Sequence, residues 1–113
     1  MIRRLFINEA YNQALKSDMN FNHGAVLIYR GKIIGRGYNT YYNNPNYKKK
    51  PTLHAEVHAI QDALKKISAE CLKHCELVII RINNHGECLN SKPCLHCEEY
   101  IKNCFIKKVY YSN

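Results

Sequence analysis

Apolar positions along this chain switch between two periods. Residues 3–17 place Ile7, Tyr11, Ala14 and Leu15 on one side of a helix. Gly24 to Tyr29 and Lys32 to Tyr38 are apolar, branched runs split by Arg30-Gly31, which predicts a hairpin with Gly in its turn. A loop dense in Asn, Tyr, Pro and Lys fills 39–51. Helical spacing then returns at Leu53, Val57, Ile60, Leu64 and Ile67, predicting a helix from Leu53 to about Ser68. Glu76 to Ile82 reads as a buried strand, Pro93 to Asn103 as a helix and Ile106 to Tyr111 as a last strand. The order α-β-β-α-β-α-β predicts an α/β architecture of three layers, a mixed sheet covered by helices. A helical crossover between the last two strands favours parallel pairing there.

Composition bounds this picture. A chain of 113 residues is expected to form one domain spanning 1–113. Its 46% hydrophobic and 23% charged residues are ordinary for a globular chain. No apolar run is long enough to span a membrane, and Met1 to Ile7 lacks the core of a signal peptide. With six cysteines and no export signal, a reducing, cytoplasmic setting is expected. The formal charge of +8 favours polyanions or phosphorylated small molecules, without choosing between them.

Candidate chemistry lies in His54-Ala55-Glu56 and Pro93-Cys94-Leu95-His96-Cys97. One imidazole and two thiolates make a suitable tetrahedral zinc set, with one corner left to water. Cys94 and Cys97 share a face in the first turn of a helix. There the helix dipole favours thiolates, and Pro93 suits the helix start. His54 and Glu56 converge only near a helix beginning, for which Thr52 is the candidate N-cap. Glu56 shares an apolar stripe with Ile60, Ala63 and Ile67, where a carboxylate is costly unless it has a task. Proton transfer beside a metal-activated water is such a task.

The order H-x-E followed by P-C-x-x-C is the signature of zinc-dependent nucleobase deaminases. With Gly24-Ala25-Val26 and Gly37-Tyr38-Asn39, it makes the chain resemble the cytidine and deoxycytidylate deaminase superfamily over nearly its whole length. The resemblance implies a Zn2+ cofactor and hydrolytic conversion of cytosine to uracil in cytidine, deoxycytidine or dCMP, with release of ammonia. It implies that Glu56 is catalytic and that Asn39 hydrogen-bonds the base or sugar. It also implies that the backbone N–H groups of Ala55 and Cys94 help orient the ring, with Pro93 beside them in the substrate site, and that homo-oligomers are common. The family often continues into another helix and strand, whereas this sequence ends shortly after Tyr111.

Several features keep a second reading. Asn39 can simply hold a turn. Tyr41, Tyr42, Tyr47 and Lys48-Lys49-Lys50 read either as a rim that stacks a base and holds a phosphate or as a solvated loop. Cys71, Cys75 and Cys88, with His74 and His85, form a second zinc site or are small apolar residues. Cys104 reads as core. His96 or Cys88 as a fourth ligand would make the first zinc structural. His58 follows His54 by one turn, but Ala55 stands where a metalloprotease needs Glu. Beside the small-molecule deaminase stand two alternatives: a deaminase of RNA or single-stranded DNA bases, cytosine or adenine, and a silent zinc-stabilised module.

Overall fold

The computed structural model describes residues 3–19, 21–41 and 52–112. Among the described residues, a five-stranded sheet carries helices on both faces. Strands β1 (Asn22–Tyr29) and β2 (Lys32–Tyr38) form the expected hairpin. Arg30 and Gly31 both take positive φ, 51° and 77°, the conformation of a two-residue turn that matches strand twist. β1 also pairs antiparallel with β5 (Cys75–Ile82), whose other edge meets β6 (Cys88–Leu89) and β7 (Lys108–Tyr111). The β5–β7 pair is parallel, as the helical crossover requires.

Strand alternation sorts the core into two layers. Val26 and Ile28 of β1, with Val78, Ile80 and Ile82 of β5, face α1 (Arg4–Leu15) through Phe6, Ala10 and Ala14. Ala25 and Leu27, with Leu77 and Ile79, face α2 (Ala55–Ala63) through Ala55, Ala59, Ile60 and Ala63. Both helices approach so closely that only glycine fits beneath them. A Cβ on Gly24 would lie 2.0 Å from the Ala10 carbonyl, and one on Gly37 would lie 2.4 Å from the Ala59 nitrogen. Small residues on both sides therefore set the height and lateral position of α2 over the sheet.

Several boundaries depart from the periodicity. α2 starts at Ala55 with His54 at its N-cap, and Thr52 does not cap it. Thr52–Leu53 is instead a short strand, β4, paired with β3 (Thr40–Tyr41). The helix stops at Ala63 with Leu64 as C-cap, short of Ser68, and residues 69–74 form a 3-10 turn that periodicity did not suggest. Helix α3 (Leu95–Asn103) has Cys94 at its N-cap, so Pro93 stands just outside the helix rather than at its first position. Leu15, expected on the buried side of α1, is 57% exposed. No helix of the described residues is long and apolar enough to cross a membrane.

Candidate functional site

His54 and Cys94 are both N-cap residues, in extended conformation at ψ 148° and 163°, and neither side chain caps its own helix. The imidazole and thiol are thereby free to turn towards each other. Cys97, one turn into α3, completes a group whose ligating atoms all lie within 4.8 Å of one another. Cys97 Sγ and His54 Nδ1 stand 3.0 Å apart. Tetrahedral zinc with bonds of about 2.3 Å to sulfur and about 2.0 Å to nitrogen asks for ligand separations of about 3.6 Å. The donor set thus fits zinc after side-chain shifts of up to about an ångström. Among the described residues no fourth His, Cys, Asp or Glu joins the group, so His96 and Cys88 do not close it.

Electrostatics act on the sulfurs in two directions. Two helix N-termini converge on the group, and their partial positive charge favours anionic sulfur. Burial, then the nearby Glu56 charge and Cys94, push the Cys97 thiol far above its ordinary range. Metal binding there must displace a proton. Glu56, in the first turn of α2, is only 5% exposed and lines the same cavity as His54 and Cys94.

That cavity, of about 390 Å³, has room for a nucleobase with part of its sugar. Asn39, Ala55 and Pro93 all lie in its wall. Ala55 opens α2, so its backbone N–H has no partner within the helix. Pro93 has no N–H, and its polar contribution is its carbonyl. The Asn39 side chain is largely engaged. Its Oδ1 accepts from the His23 N–H at 2.7 Å, and its Nδ2 donates to the Phe21 carbonyl at 2.5 Å. The second amide hydrogen and the second lone pair of Oδ1 remain for a ligand.

Other expected groupings fare differently. Tyr41 lines the cavity and is 41% exposed, whereas Tyr42, Tyr47 and Lys48-Lys49-Lys50 lie outside the described residues. Cys71, Cys75 and Cys88 are not brought together with His74 or His85 as a ligand group. Burial raises the Cys75 thiol to about 11, and Cys104 packs against the same apolar cluster. The His58 ring faces the Tyr38 backbone, with Nδ1 3.1 Å from its nitrogen, away from the metal group.

Motif reading missed Phe21, His23, Ser91 and Lys92, all in the cavity wall. The signal for His23 was strand parity, two residues ahead of the inward-facing Ala25. Ser91 is buried, and its Oγ donates to the Ile79 carbonyl at 2.9 Å. Ser112 adds a bond to that Oγ from its N–H at 2.7 Å, tying the Cys94 loop to the sheet.

Comparison with known proteins agrees with this geometry. The family model for the cytidine and deoxycytidylate deaminase zinc-binding region matches residues 2–113. The chain belongs to this family. Deaminase relatives include the tRNA-specific adenosine deaminase of Aquifex aeolicus, 29% identical over 89 residues, covering 79% of this chain and 50% of that protein. The tRNA-specific adenosine deaminase subunit tad2 of Schizosaccharomyces pombe is 31% identical over 86 residues, covering 76% of this chain and 19% of that protein. This chain therefore spans half or less of the curated relatives it matches. Guanine deaminase from Bacillus subtilis superposes with a TM-score of 0.68 at 29% identity, over 98% of this chain and 64% of that one. The dCMP deaminase of cyanophage S-TIM5 shares the fold, with a TM-score of 0.64 at 24% identity over 98% of this chain and 84% of that one.

Proposed function

We propose that this protein is a zinc-dependent hydrolase that removes the amino group of cytosine in a small nucleoside or nucleotide: cytidine, deoxycytidine or dCMP. The observation that carries the reading is the buried Glu56 carboxylate, sharing a nucleobase-sized cavity with a three-ligand group that has an open corner. His54, Cys94 and Cys97 would hold the metal. Zinc there supplies Lewis acidity, drawing the pKa of a water towards about 7. Glu56 accepts a proton from the attacking water and passes it to N3 of the ring, making C4 more electrophilic. The hydroxide left from that water adds to C4, and Glu56 then carries the proton of the added hydroxyl to the amino nitrogen; the C4–N bond breaks, ammonia leaves and the C4 carbonyl of uracil remains. The Ala55 N–H, the Pro93 carbonyl and the remaining Asn39 amide hydrogen orient the ring.

A second reading, deamination of cytosine or adenine within RNA, is favoured by the likeness to two tRNA-specific adenosine deaminases and by the +8 charge. The discriminating experiment measures ammonia release from cytidine, deoxycytidine, dCMP and short RNAs carrying C or A, on protein of known zinc content. Turnover of the monomers supports the first reading. Turnover of RNA alone, with binding that weakens steeply as salt rises, supports the second. Zinc-replete protein inactive on every substrate would overturn both.

A further inference from the structure

His23 is a polar residue in the cavity wall whose ring the catalytic scheme does not use. On β1, Ala25 and Leu27 join the cluster under α2, while Gly24 and Val26 lie towards α1. His23, two residues before Ala25, therefore falls on the α2 side of the sheet. It lines the cavity with His54, Glu56 and Asn39, and is half-buried there.

Its backbone is spoken for. The N–H donates to Asn39 Oδ1 at 2.7 Å, and the carbonyl accepts from the Asn39 N–H at 3.2 Å. The ring is not. Among the described residues no side chain hydrogen-bonds to the imidazole, and the Phe21 carbonyl favours its N–H. Burial holds its pKa below the usual histidine value, with Arg81 and His54 acting in the same direction and Glu56 opposing. The ring is therefore neutral near pH 7, with one donor nitrogen and one acceptor nitrogen. The nearby Phe21 carbonyl favours the donor nitrogen. An acceptor facing a ligand cavity, with no partner among the described residues, calls for a donor on the ligand.

We propose that His23 is a specificity-determining residue of this site, accepting a hydrogen bond from the nucleoside substrate through its ring amino group or a sugar hydroxyl. The inference rests on the deaminase reading of the cavity. Steady-state ammonia release is measured for wild type, His23→Val, His23→Ala and His23→Gln, each with zinc content checked. The substrates are cytidine, 2′-deoxycytidine and 3′-deoxycytidine. The Val and Ala variants are expected to raise KM for cytidine about 10-fold with kcat within about 2-fold, the signature of lost ground-state binding. Gln, which keeps an acceptor, recovers most of that loss. A KM penalty common to all three substrates identifies the amino group or the 5′-hydroxyl as donor; a penalty that vanishes for one deoxy analogue identifies the missing hydroxyl. Active wild type with unchanged KM in both Val and Ala variants overturns this proposal alone. So does a fall confined to kcat, which a merely structural role would give. Wild type that releases no ammonia from any of the three overturns the small-molecule deaminase reading, and this proposal with it.

Discussion

Helices α1 and α2 cover opposite faces of one sheet with the same device, alanines laid over glycines, yet only α2 ends in chemistry. Beneath α1 the polar exception is Gln13, whose Nε2 donates to Glu9 Oε1 at 3.0 Å, and Glu9 in turn pairs with Arg36 at the surface. Beneath α2 the exception is Glu56, a buried carboxylate beside thiols and imidazoles. Packing tolerates the first because it is satisfied locally. The second is costly unless a metal and a substrate engage it. The comparison teaches that the sheet and its glycines give a rigid height reference for both helices. The site arises where α2 and α3 bring their N-termini together beyond the apolar layer.

Substitutions can break or sharpen this contrast. The largest effect belongs to Cys97→Ala, which removes one of three ligands. Zinc content, read by elemental analysis, should fall from about one per chain to near zero, and activity with it. Glu56→Gln should retain zinc and fold while lowering kcat by about 10²–10⁴-fold. Gly24→Ala disturbs the other face. The clash with the Ala10 carbonyl should cost about 1–3 kcal/mol in urea unfolding, leaving KM of the folded fraction unchanged. Ser91→Ala removes the hydroxyl that ties the Cys94 loop to β5, and should cost about 1 kcal/mol and weaken zinc retention against a chelator.

The smallest effect is a matter of pH. Burial raises the Cys75 thiol from 9.0 to about 11, so the folded state holds that proton more tightly than the unfolded chain. The resulting stability is fully present below pH 9 and is lost as pH rises through about 11. Cys75→Ala should lower stability at pH 7 yet flatten its decline between pH 9 and 11, as followed by urea midpoints.

Much of this was legible in the chain. The two periods locate three helices and the four long strands, and the motif spacing brings together His54, Glu56, Cys94 and Cys97. The boundaries were less legible, for a physical reason. Thr52 has the chemistry of a cap, but its backbone pairs with Tyr41, and the N-cap positions go to His54 and Cys94 because their side chains are needed elsewhere. Leu64 keeps the helical spacing, yet it is the C-cap and is 39% exposed. Asn39 reads as a substrate contact by position, while its amide mostly fastens the start of β1. His23 belongs to no motif, and only strand parity marks it.

X-ray absorption at the zinc edge of the loaded protein tests the central claim most directly. The account predicts two sulfurs at about 2.3 Å, with one nitrogen and one oxygen at about 2.0 Å. A third sulfur, or a shell completed by a second imidazole, would contradict it.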